Sequence, residues 1–138
     1  MVQIQIRYEG GLRTRATHGP SGTELVTDAP VDNQGKGESF SPTDLVATAV
    51  GSCMLTIMGI VAERHGWDLV GAEATAVKSM AADPARRISQ VEVVIRVPAA
   101  LDEKAQKALE KAAHTCPVHV TLGDRVEMPV RFEWGVPV

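Results

Sequence analysis

Cys53 and Cys116 are the residues of this chain best equipped for chemistry. A cysteine thiolate is a strong nucleophile, and an oxidant converts it to a sulfenic acid that condenses with a second thiol into a disulfide. Two cysteines far apart in sequence are compatible with such a couple. They are equally compatible with packing alone, because free cysteine is among the most buried residue types. His114, Cys116 and His119 form an H-x-C-x2-H cluster whose imidazoles and thiolate could hold zinc. That spacing matches none of the usual paired zinc motifs, and His114 is explained as a cation in the last turn of a helix. His18 and His65 fall in a turn and at a helix end, where no chemistry is needed to account for them. No glycine cluster has the strand-to-helix setting of a phosphate loop, and there is no nucleophile elbow.

The elements around the cysteines are legible. Ser41 is a good N-cap, Pro42 suits the first helical position, and Asp44 completes a capping-box pattern, so a helix is expected over 42–65 with Gly66 as its stop. Cys53 lies in its middle. From Leu45 to Ala62 this helix has no charge and no polar face, so it must be buried on all sides or lie in a membrane. At about 18 residues the apolar run is at the lower edge for a bilayer span, and Thr48, Gly51, Ser52, Thr56 and Gly59 dilute it. The expectation is a central core helix, with a sheet on one side and a second subunit as the natural cover on the other. Ala47, Thr48, Gly51 and Ser52 are small enough for a close helix–helix approach. Cys116 follows an amphipathic helix over 101–114, whose apolar face carries Leu101, Ala105, Ala108, Leu109, Ala112 and Ala113. Cys116-Pro117 ends that helix.

Strands complete the pattern. Val2–Tyr8 alternates strictly, Glu9-Gly10-Gly11 is a turn, and Leu12–Thr17 and Thr23–Thr27 continue an antiparallel meander. A polar loop over 28–40 leads to the long helix. Residues 69–98 read as a hairpin around Asp83–Arg87, with Val91, Val93, Ile95 and Val97 on one face. Val126, Met128, Val130, Phe132 and Trp134 alternate as a closing strand. Strands, helix, hairpin, helix and strand make an α+β chain, read as a single domain over 1–138.

Composition narrows the function. The 138 residues are 44% hydrophobic and 4% aromatic, which supports an aliphatic core and excludes wholesale disorder. A formal charge of −3 at pH 7 argues against a nucleic-acid binder. Two cysteines are too few for a disulfide-stapled secreted scaffold, and Met1–Gln5 does not begin a signal peptide, so a cytoplasmic protein is expected.

Ser41-Pro42-Thr43-Asp44-Leu45 leading into Ala49-Val50-Gly51-Ser52-Cys53, with Cys116-Pro117-Val118 about sixty residues further on, resembles the osmotically inducible protein C and organic hydroperoxide resistance family (OsmC/Ohr). Asp28, Pro30 and Gly35 fit its approach to the long helix, and the likeness runs from the N-terminal meander to Trp134. The resemblance implies an antiparallel sheet wrapped around a long buried central helix in an intertwined homodimer, with active sites at the dimer interface. It implies a thiol-dependent peroxidase that reduces organic hydroperoxides in oxidative stress defence, without haem, flavin or metal. Cys53 would be the peroxidatic and Cys116 the resolving cysteine of a Cys53–Cys116 disulfide, reduced by an external dithiol such as a lipoylated protein or a small thiol. The family also carries an N-terminal Arg that stabilises the thiolate, held by a Glu ten residues before the reactive cysteine. Arg13 is nearest the expected position, and Arg15 shares its strand face. Counting back ten from Cys53 gives Thr43, so this chain lacks that Glu. Asp44 cannot replace it, because nine residues of helix turn it to the face opposite Cys53. Thr43 keeps a second reading open, a non-catalytic dimer that binds a small apolar or electrophilic ligand.

Overall fold

The computed structural model describes residues 1–138, which form two compact units, Met1–Val46 and Ala47–Val138. In the first, β1 (Ile4–Gly10), β2 (Arg13–His18) and β3 (Glu24–Asp28) make an antiparallel sheet in that order. Its register sets Arg13 opposite Asp28 and Arg15 opposite Val26. Gly10, at φ +87°, turns β1 into β2, a backbone region that favours glycine. A 3-10 turn, Val31–Asn33, follows β3, and the Gly35 N–H donates to the Pro30 carbonyl at 2.9 Å. A Cβ at Gly35 would overlap the Ala29 carbonyl, so only glycine lets the loop fold back this tightly.

Helix α1 spans Pro42–His65, as its capping pattern predicts. The capping box is closed in both directions: the Ser41 N–H donates to Asp44 Oδ2 at 2.8 Å, and the Asp44 N–H donates to Ser41 Oγ at 3.1 Å. Two otherwise unpaired backbone groups at the helix start are thereby satisfied.

The second unit holds most of α1, then β4 (Glu73–Ala81), β5 (Arg87–Val97), α2 (Glu103–His114), α3 (Pro117–Leu122) and β6 (Val130–Trp134). Ala47, Val50, Met54, Met58 and Ala62 recur at helical spacing and pack with Val91, Val93, Ile95 and Val97 of β5 and with Leu109, Ala112 and Ala113 of α2. Asp102 caps α2, its Oδ1 accepting the Ala105 N–H at 2.9 Å.

One chain covers α1 along one stripe only, and Thr48, Ser52, Thr56 and Ile60 on the opposite side are exposed. It has the length and composition of a membrane-crossing helix, with mean hydropathy 2.1 over an 18-residue window of which 33% is buried in the chain. Two features differ from the sequence expectation. The second sheet is mixed: β4 and β5 are antiparallel, whereas β6 runs parallel to β5. The helices between β5 and β6 form a crossover, which returns the chain in its original direction as a hairpin cannot. Finally, the chain after Cys116 forms α3 where only the end of a helix was expected.

Candidate active site

Cys53 and Cys116 come together, although α1 and the α2–α3 junction deliver them from distant parts of the chain. Cys53 is half-buried on the flank of α1; Cys116 is fully buried in the core cluster. Both are free thiols. Pro117 starts α3, and Cys116 is its N-cap, its Sγ accepting the His119 N–H at 3.3 Å. Burial pushes the Cys116 thiol above its ordinary range, the backbone N–H of His119 pulls it down, and the hydrogen bond and charge of neighbouring Cys53 push it up again. Desolvation is the largest of these effects, so Cys116 is held as a neutral thiol beside Cys53.

A groove of about 430 Å³ between α1 and α2 is lined by Ile57, Ile60, Val61, Ala108 and Ala112 together with Arg64, Lys111 and Thr115, and neither cysteine is in its lining. Ile57 lies one turn beyond Cys53, and Thr115 immediately precedes Cys116. The histidines near Cys116 are engaged elsewhere. His114 donates from Nδ1 to the Glu110 carbonyl at 2.8 Å, and its ring meets that of His119 edge-on at 5.8 Å.

The arginines lie in the first unit. Arg13 Nε donates to Asp28 Oδ1 at 2.7 Å and Nη2 to Asp28 Oδ2 at 2.9 Å, a bidentate pair; Nη2 also reaches Glu38 Oε2 at 3.0 Å. Asp28 is almost completely buried and takes a further N–H from Glu38 at 3.1 Å. The Arg13 hydrogen bond holds the Asp28 carboxyl below its ordinary range despite the opposing effect of burial. Arg15 is bonded to Glu9 and Glu24, both on the same sheet. Asp28 and Glu38 are thus the carboxylates that hold Arg13, partners the sequence analysis does not name for it. The signal was present: Asp28 stands opposite Arg13 once the β2–β3 register is counted.

The OsmC family model, described as OsmC-like protein, matches residues 35–131, and the chain belongs to that family. Among solved structures, a protein of Psychrobacter arcticus 273-4, provisionally described as an osmotic stress induced and detoxification response protein, is 48% identical with a TM-score of 0.91, over 96% of each chain. The fold is shared with an organic hydroperoxide resistance protein OsmC from Legionella pneumophila, at 19% identity and a TM-score of 0.78 over 96% of each chain. It is shared also with the organic hydroperoxide resistance protein OhrB of Bacillus subtilis, at 19% identity and a TM-score of 0.68 over 96% of this chain and 98% of that one. A comparison with curated protein sequences gives no match.

Proposed function

We propose that this protein is a thiol-dependent peroxidase that reduces organic hydroperoxides. The observation that carries the reading is the pair itself: a half-buried thiol beside a fully buried one held protonated. In the first step the Cys53 thiolate attacks a peroxide oxygen and the O–O bond breaks. The hydroperoxide is reduced by two electrons and leaves as an alcohol after taking a proton, and Cys53 becomes a sulfenic acid. Cys116 then attacks the Cys53 sulfur, and the proton it carries accompanies the departing hydroxide as water. An external dithiol reduces the disulfide by exchange, so no metal, haem or flavin is required. Arg13 is the cation assigned to the Cys53 thiolate, on the family resemblance. Organic hydroperoxides are the expected substrates on the family resemblance, in keeping with the names of fold relatives such as OhrB.

The working form in this reading is a cytoplasmic homodimer. One chain leaves Thr48, Ser52, Thr56 and Ile60 of α1 uncovered and exposes Ile4, Ile6 and Tyr8 of β1, surfaces that a second copy would bury. Light scattering on a sizing column should report twice the 14.7 kDa chain mass; a monodisperse monomer at micromolar concentration would remove this part of the reading. The activity itself is tested by consumption of cumene and t-butyl hydroperoxides with dihydrolipoamide as reductant, compared with hydrogen peroxide. Faster turnover of the organic substrates is expected. Turnover no faster than that of Cys53→Ser would favour a ligand-binding dimer without catalysis.

A further inference from the structure

The groove between α1 and α2, at about 430 Å³, has the size of a small-molecule site. Its floor is apolar, made by Ile57, Ile60, Val61, Ala108 and Ala112, and Ile60 is 41% exposed there. Two cations complete the lining, Arg64 from α1 and Lys111 from α2, and no carboxylate joins them. Neither cation has an ion-pair or hydrogen-bond partner in the chain. Both acids of α2 are engaged elsewhere: Glu103 pairs with Lys107 at 2.7 Å, and Glu110 Oε1 accepts the Trp134 Nε1–H at 3.2 Å.

Cations are common in the last turn of a helix, where they offset its negative end. That role is already filled at both ends of this groove. His65 Nδ1 donates to the Val61 carbonyl at 2.9 Å, and His114 Nδ1 donates to the Glu110 carbonyl at 2.8 Å. Arg64 and Lys111 make no such bond, and their charges stand over apolar surface instead. We propose that this groove binds a small amphipathic anion, a carboxylate whose charge is met by Arg64 and Lys111 and whose flexible apolar chain lies along Ile57, Ile60 and Val61. The walls set its length. Ile57 to Arg64 and Ala108 to Thr115 each advance seven residues, about 10 Å of helix, which suits an acid of about eight carbons. Neither cysteine lines the groove, so binding needs no thiol chemistry and the acid is not consumed.

Octanoate is the probe, titrated into the reduced protein and followed by calorimetry and by the NMR methyl signals of Ile57, Ile60 and Val61. Saturable binding that shifts these methyls is expected. No saturable binding, or shifts confined to other residues, overturns the proposal. Hexanoate should bind about fivefold more weakly, because two methylenes leave the apolar floor. 1-Octanol, which keeps the chain and lacks the charge, should bind about tenfold more weakly than octanoate. Arg64→Gln and Lys111→Gln are each expected to weaken octanoate about threefold, and the double variant about tenfold, since these pairs are exposed to solvent. An unchanged affinity in the double variant, or equal affinity for octanol and octanoate, overturns the role of the cations and with it the anion site. The other possible occupant is a second copy of the chain. If the double variant converts a dimer to a monomer while octanoate fails to bind, the groove is a contact between copies and the proposal falls.

Discussion

Serine at position 53 is expected to reduce hydroperoxide consumption to the rate without protein, the largest functional effect of any single substitution here. A serine hydroxyl cannot supply the thiolate that attacks the peroxide, and no other thiol is available, since Cys116 is fully buried and held protonated. Cys116→Ser should behave differently. It should be oxidised once and then stop, because the Cys53 sulfenic acid has no resolving thiol. Mass spectrometry without reductant separates the cases. After limiting peroxide the wild type should lose two hydrogens as the disulfide forms, whereas Cys116→Ser should give a dimedone adduct at Cys53. A dimedone adduct in Cys53→Ser, with none in Cys116→Ser, would exchange the two roles.

The largest structural effect is expected from Met54→Ala. Met54 is fully buried next to Cys53, on the α1 stripe that packs with β5 and α2. Removing its side chain loses transfer free energy and leaves a cavity, at a cost of about 2–5 kcal/mol. Denaturant unfolding at fixed protein concentration measures this, and the concentration must be fixed because association would add its own stabilisation. Lys107→Ala on the outer face of α2 is the control. Its side chain is 73% exposed and pairs only with Glu103 one turn away, so a change under about 0.5 kcal/mol is expected. A cost below about 1 kcal/mol for Met54→Ala would mean that this stripe is not the packed face of α1.

Local signals were sufficient for every element except the short ones. Ser41, Pro42 and Asp44 marked the start of α1, and Gly66, in the left-handed region at φ +70°, follows its end. Alternation marked β1 and β5, and the apolar periodicity marked α2. Each depends on residues within a few positions of one another, so no knowledge of the fold was needed. The short helix α3 went unread because a helix of six residues has too few positions to show a period. Its one local signal was Pro117 in the first helical position, directly after Cys116.

The site divides along the same line. Cys53 and Cys116 could be named as reactive candidates from residue type and motif, and so could Arg13, but no spacing in the sequence states that the two thiols meet. That depends on α1 and the end of α2 packing against the same strand, through contacts far apart along the chain. The direction of β6 has the same origin, since it follows from the crossover through α2 and α3. The partners of Arg13 depend on strand register and on a loop that folds back through Gly35, and neither leaves a mark at Arg13 itself. The protonation bias of Cys116 was still further from reach. Residue type supplies a thiol of ordinary acidity, and only complete burial, opposed by one backbone N–H and reinforced by a neighbouring thiol, displaces it. Capping, periodicity and turn chemistry are short-range and are written in the order of residues, whereas burial and proximity are properties of packed surfaces and exist only once the chain has closed on itself.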